Sequence, residues 1–66
     1  MKAQDIHGMT SDELRVKLAE LNDELINLRF RHAVNELENP NVINSTKKDI
    51  ARIKTEIRAR ELKANV

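Results

Sequence analysis

Leucines recur along the first half of the chain at alternating steps of four and three residues. They are Leu14, Leu18, Leu21, Leu25 and Leu28. This spacing keeps one side of an α-helix apolar and is typical of a coiled-coil seam. Thr10 stands just before the pattern and can cap the first free amides, with Glu13 three residues later as the second half of a capping box. We therefore predict a long helix over residues 10–37.

A second apolar pattern with the same steps follows a break at Asn39-Pro40. Proline disfavours helical geometry in the residue before it, yet it fits the first turn of a new helix. The second seam contains Ile43, Thr46, Ile50, Ile53, Ile57, Arg60 and Ala64. We predict a second long helix over residues 40–63.

The two seams match each other in reverse order. Leu28 with Ile50, and Leu25 with Ile53, have position numbers that sum to 78. An antiparallel hairpin folded about Asn39 has this property, and it would place Leu18 opposite Arg60 in a loosely packed layer.

The segment before Thr10 predicts a further short element. Residues 2–7 can form one helical turn, and Gly8 can end it in the left-handed conformation that glycine tolerates. The predicted fold class is therefore all-α, an antiparallel two-helix coiled-coil hairpin with a short N-terminal helical turn, forming a single domain over residues 1–66.

Composition narrows the function classes. The 66 residues include no cysteine, so neither a disulfide framework nor a thiolate metal site is available, and a fold of this size cannot enclose a substrate cleft. Apolar runs are short and no apolar signal core opens the sequence, so we expect neither export nor membrane spanning, and a cytoplasmic location.

Residues suited to catalysis are few. His7 and His32 lie in different predicted elements, and the acidic pair Glu36 and Glu38 lies near an exposed turn where carboxylates are ordinarily solvated. We expect no enzymatic activity, no cofactor and no metal.

Charge is divided unevenly along the chain. Residues 1–28 carry three basic and six acidic residues, whereas residues 29–66 carry nine basic and five acidic ones. Such asymmetry favours contact between the second half and a polyanion. The alternative is a solvated face of mixed charge linked by salt bridges.

A basic stripe runs along one flank of the second predicted helix. It consists of Lys47, Lys54 and Arg58, at steps of seven and four, and Lys48 with Arg52 forms an adjoining row. Asn44 and Thr55 lie beside the stripe and can donate hydrogen bonds. Such a face can neutralise phosphates, and RNA is its candidate partner.

An apolar strip lies on the first helix, on the side away from the seam. It consists of Ile26, Phe30, Ala33, Val34 and Leu37, flanked by Arg29 and Arg31. A strip that the core cannot cover usually marks contact with another macromolecule. We interpret it as a docking patch for protein or RNA. The alternative is a homodimeric interaction module, in which two hairpins pair through this strip into a four-helix bundle.

The segment Lys47-Lys48-Asp49-Ile50-Ala51-Arg52-Ile53-Lys54-Thr55 resembles the signature of the bacterial family of large-subunit ribosomal protein twenty-nine. The resemblance extends over essentially the whole chain. It includes Met1-Lys2-Ala3, Asp5-Ile6, Glu13-Leu14, Glu24-Leu25, Leu28-Arg29-Phe30 and Ala33. Asn35-Glu36 departs from the Gly-Gln pair that many members carry near the hairpin tip.

The resemblance implies a structural protein bound to large-subunit ribosomal RNA near the exit of the nascent-peptide tunnel. Its implied neighbour is ribosomal protein number twenty-three, and nascent-chain targeting factors or chaperones are implied visitors to that site. The family's RNA-facing residues fall here on Lys47, Lys48, Arg52, Lys54 and Thr55, with Arg29, Lys2 and Arg58 as further matches.

Overall fold

Three helices make up the part of the chain that the structure, a computed structural model, describes, which is residues 2–64. They are α1 (Ala3–His7), α2 (Ser11–Ala33) and α3 (Asn41–Ala64), and these residues contain no strand. Met1, which the resemblance includes, and the last two residues of the predicted 1–66 domain lie outside the described residues. The prediction of an all-α helical hairpin is confirmed.

The long helices α2 and α3 pack along each other, and α1 packs against α3. The result is a rod of 48 × 18 × 15 Å. Its core contains the predicted seams: Leu14, Leu21, Leu28, Ile50 and Ile53 are buried, and Leu18, Leu25, Ile43 and Ile57 are half-buried. Thr46 is the polar member of the buried seam, and its hydroxyl donates to the carbonyl oxygen of Val42 at 2.8 Å. Ile6 of α1 joins this core with only 3% of its surface exposed.

The hairpin turns earlier than predicted. Helix α2 ends at Ala33 and α3 begins at Asn41, so the connection between them is centred on Leu37 and not on Asn39. A guanidinium nitrogen of Arg60 lies 3.3 Å from Oγ of Ser11, so the long side chain of Arg60 reaches the first turn of α2. The pairing of Leu18 with Arg60 stays a prediction.

Both long helices begin at side-chain caps. The amide of Glu13 donates to Oγ1 of Thr10 at 3.1 Å, which confirms the predicted cap of α2. The amide of Asn41 donates to Oδ1 of Asn39 at 3.0 Å, so the residue before Pro40 caps α3. Proline in the first turn has no amide to satisfy, which is why this start is favourable. The helix itself spans Asn41–Ala64, one residue later at each end than predicted.

The end of α2 lies four residues before the predicted residue 37. Asn35 has φ 61°, and beyond Ala33 the chain leaves the helix through two backbone hydrogen bonds. The amide of Glu36 donates to the carbonyl of Arg31 at 2.8 Å, and that of Asn35 to the carbonyl of His32 at 3.2 Å. This is a Schellman ending, which needs a left-handed residue that glycine or asparagine supplies. Asn35 therefore supplies the left-handed residue that this ending requires.

Substitution of Asn35 tests this ending. Asn35→Val should destabilise the protein by about 1–2 kcal/mol, because a β-branched residue is strained in the left-handed region, whereas Asn35→Gly should cost nothing or stabilise slightly. Urea unfolding followed by circular dichroism measures both. The control is Glu36→Val at the next position, where φ is negative. Equal losses for the two valine variants would contradict the assignment.

Gly8 follows the last residue of α1, as predicted, but it is not in the predicted left-handed conformation. Its φ of −78° and ψ of −9° are right-handed, and its amide donates to the carbonyl of Gln4 at 3.1 Å. The last turn of α1 therefore closes with ordinary helical geometry. The helix begins at Ala3, one residue after the predicted start.

Candidate nucleic-acid interface

The predicted basic stripe is exposed along α3. Lys47, Lys54 and Arg58 all expose their side chains, as do Lys48 and Arg52 in the adjoining row. At a rise of about 1.5 Å per residue, the three stripe cations span roughly 16 Å of the helix. The arrangement presents a line of positive charge that matches an extended polyanion.

The remaining predicted RNA contacts lie in three different places. Arg29 is exposed on α2, and Lys2 is exposed immediately before α1. Thr55 is exposed on α3, but its hydroxyl donates to the carbonyl of Ala51 at 2.8 Å. In the free protein the hydroxyl proton of Thr55 is therefore used within the helix, while its oxygen can still accept, and its contact with RNA stays a prediction.

A groove that the sequence did not predict runs between α1 and α3. It is lined by Lys2, Ala3, Ile6, His7, Ala51, Arg52, Thr55 and Glu56. The alanines and the side chain of Ile6 give it an apolar interior, and Lys2 and Arg52 are the lysine and arginine among its lining residues. We call this feature the α1–α3 groove.

Four residues join the three helices at one end of the rod. Arg60 donates from Nε to Oε1 of Glu56 at 3.0 Å, and its terminal nitrogens lie 3.3 Å from Oγ of Ser11 and from the carbonyl oxygen of His7. Nδ1 of His7 lies 3.2 Å from Oε2 of Glu56. We call His7, Ser11, Glu56 and Arg60 the junction cluster. Only the Glu56–Arg60 spacing of four residues could have been recognised in the sequence.

The junction cluster changes the pKa of the Glu56 carboxyl. Its partial desolvation raises the pKa, but the hydrogen bonds and charges of Arg60 and His7 outweigh that effect, so the net pKa lies below the ordinary 4.5. A carboxyl with a lowered pKa in the folded state stabilises the fold above its unfolded pKa. That contribution is lost as the pH falls through the folded value.

Acid titration should reveal this contribution. Wild type should be more stable than Glu56→Gln at neutral pH, and the difference should shrink as the pH falls below 4.5 through the lowered pKa of Glu56. Thermal unfolding followed by circular dichroism across this range measures the difference. Glu61→Gln removes an exposed carboxylate outside the cluster and is the matched control. A wild-type advantage over Glu56→Gln that persists unchanged in acid would contradict the proposed charge pairing.

The apolar strip is partly as predicted. The exposed fractions of Ile26, Phe30 and Val34 are 67%, 66% and 46%. Leu37 is half-buried and lies in the connection after α2, so it is not part of a continuous helical strip. The reason is the early end of the helix, because the spacing that aligned Leu37 with Phe30 applies only within a helix.

Within residues 2–64, none of the helices has the length and apolar character of a membrane span. The same residues contain no group of three or more histidine, cysteine or acidic side chains placed to hold a metal ion.

The chain matches one known protein family over most of its length. The family model described as ribosomal L29 protein matches residues 4–60. Similar proteins named large ribosomal subunit protein uL29 include one from Acetivibrio thermocellus, 56% identical over 96% of this chain and 94% of the relative. Another from Persephonella marina is 55% identical over 94% of this chain and 91% of its own length. A third, from Natranaerobius thermophilus, is 53% identical over 94% and 95%.

A helical hairpin with an exposed basic face, together with these matches, defines the class of the chain as a structural protein of the large ribosomal subunit. More narrowly, the chain belongs to the ribosomal L29 protein family. This family is one of structural ribosomal proteins and not of enzymes.

Proposed function

We propose that the chain binds large-subunit ribosomal RNA through the basic stripe of α3. The observation that carries this proposal is the exposure of Lys47, Lys54 and Arg58 along one flank of a rigid helix, within a chain whose relatives are large-subunit proteins. Lysine and arginine neutralise phosphates and release their counterions, which supplies affinity without base reading.

The rest of the surface supports recognition of backbone rather than of bases. Phe30 is the single aromatic residue of the sequence, so stacking of successive bases is not available to this chain. A rod about 15–18 Å across can lie along or between RNA helices while its cations contact their phosphates. The proposed role is therefore structural: the hairpin holds neighbouring RNA segments together.

Salt titration tests the RNA contact. Purified protein is mixed with fluorescently labelled large-subunit ribosomal RNA, and affinity is measured at several potassium chloride concentrations. The logarithm of affinity should fall linearly with the logarithm of salt concentration. Affinity that does not change with salt would refute a phosphate-based interface.

The proposed location is the cytoplasmic ribosome near the exit of the peptide tunnel, beside ribosomal protein number twenty-three. Targeting factors and chaperones that meet emerging chains would then be occasional neighbours. Lysine-reactive cross-linking of intact large subunits, followed by mass spectrometry, tests this location. Cross-links to protein number twenty-three support it, and cross-links confined to proteins remote from the tunnel exit overturn it.

A second candidate function is favoured by the exposed side chains of Ile26, Phe30 and Val34. Two hairpins could bury these residues against each other as a homodimeric interaction module. Sedimentation at micromolar concentration distinguishes the candidates. A stable dimer that is indifferent to RNA supports this second function, whereas a monomer that gains mass with RNA supports the first.

A further inference from the structure

The α1–α3 groove adjoins the basic stripe. Ala51 lines the groove and lies four residues after Lys47, three before Lys54 and seven before Arg58. These are the spacings that make residues neighbours on a helix surface. A strand of polyanion that follows the stripe therefore passes the open edge of the groove at Ala51.

The charges around the α1–α3 groove also suit a polyanion. Lys2 and Arg52 stand among its lining residues, and Glu56 is its one carboxylate. That carboxylate is held by Arg60 at 3.0 Å, so its negative charge is paired within the protein. The interior formed by Ala3, Ile6 and Ala51 is apolar, which suits the face of a ribose.

We propose that the α1–α3 groove is a second part of the RNA interface and holds a ribose–phosphate segment between Lys2 and Arg52. This proposal rests on the proposed RNA binding and extends it from one flank of α3 to the surface that α1 completes. Its occupant is RNA backbone, so a protein segment in the same groove would be a different result.

Glu56 is a positioning residue for this groove. It contacts His7 at 3.2 Å and Arg60 at 3.0 Å, and Arg60 contacts the backbone of His7. These contacts fix the end of α1 on α3, and with it the position of Lys2. A negative side chain on an RNA-binding surface would ordinarily weaken binding, but here its loss releases the helix that carries a cation to the RNA.

Four variants test the proposal by RNA affinity at fixed salt. Lys2→Gln should lower affinity about 3- to 10-fold and reduce the salt slope by about one, whereas Lys63→Gln, with the same change of charge elsewhere, should have little effect. Glu56→Gln should also weaken binding, although it removes a negative charge. Glu61→Gln, its matched control outside the junction cluster, should leave affinity unchanged or raise it.

A double variant separates positioning from a general loss of structure. If Glu56 acts by placing Lys2, then Glu56→Gln should have little further effect in a Lys2→Gln background. Circular dichroism of each variant reports whether α2 and α3 remain folded. Because Lys2 is exposed, Lys2→Gln should leave both helices folded.

These measurements distinguish an RNA contact in the α1–α3 groove from RNA binding by the basic stripe alone. Equal affinities for Lys2→Gln and Lys63→Gln, with tighter binding by Glu56→Gln, overturn the groove while leaving RNA binding by the stripe intact. Wild-type protein that fails to bind RNA overturns both. Protection of RNA riboses from hydroxyl radicals by wild type, lost in Lys2→Gln at a discrete segment, is the positive result that assigns RNA backbone to the groove.

Discussion

Replacing Ile53 with alanine is expected to unfold most of the free protein near physiological temperature. The side chain of Ile53 is fully buried, as is that of Leu14 across the helix pair. Truncation of a buried isoleucine costs about 2–5 kcal/mol, because apolar contacts are lost and a cavity remains. A domain of this size has a total stability of only about 3–5 kcal/mol from its core. The expected loss is therefore comparable to the total free energy of unfolding of the hairpin.

Urea unfolding followed by circular dichroism, without RNA, measures the effect of Ile53→Ala. RNA must be absent because any ligand that binds only the folded state would mask the loss. Val16→Ala is the matched control, since the side chain of Val16 is 59% exposed and its truncation should change stability by less than about 0.5 kcal/mol. Similar unfolding midpoints for the two variants would mean that Ile53 is not part of the core.

The leucine and isoleucine seams could be predicted because burial follows directly from helical periodicity. Leu14, Leu21, Ile50 and Ile53 occupy the positions that the spacing assigned to the core. Thr10 was recognisable for a similar reason, since capping is a local property of a few residues. Features that depend on the sequence of a single helix, such as seam burial and capping, could therefore be predicted without the structure.

The end of α2 could not be predicted in the same way. A heptad repeat offers favourable pairings in more than one register, so the pairing of the seams also depends on where the turn falls. The position of the turn depends on Asn35, whose left-handed backbone ends the helix early, although asparagine is also tolerated inside helices. Asn35 therefore determines where the hairpin turns.

The candidate interface likewise has one part that the sequence predicts and one part that it does not. The exposure of Lys47, Lys54 and Arg58 follows from their position on α3 relative to the seam. The α1–α3 groove does not, because it depends on where a five-residue helix docks. That docking is fixed by Ile6 in the core and by Arg60 reaching the carbonyl oxygen of His7, contacts that span most of the chain. No local sequence pattern predicts these contacts.

Neutralising the stripe is expected to have the largest effect on RNA binding. Lys47→Gln, Lys54→Gln and Arg58→Gln together remove three exposed cations from one flank of α3 while leaving the buried seam unchanged. If each cation contacts one phosphate, the slope of log affinity on log salt should fall by about 2–3, and affinity at about 0.1 M salt should fall roughly 10- to 100-fold. Fluorescence anisotropy with labelled large-subunit ribosomal RNA measures both quantities.

The control for the stripe variant must change net charge by the same amount, because a polyanion also responds to the charge of the whole protein. Arg15→Gln, Lys17→Gln and Lys63→Gln together meet this requirement away from the stripe. Long-range attraction alone would weaken binding equally in both triple variants and would change the slopes alike. Phosphate contacts at the stripe predict a fall in slope for the first set only. Equal slopes would therefore refute the stripe even if RNA binding itself persisted, because only direct contacts release counterions at a particular face.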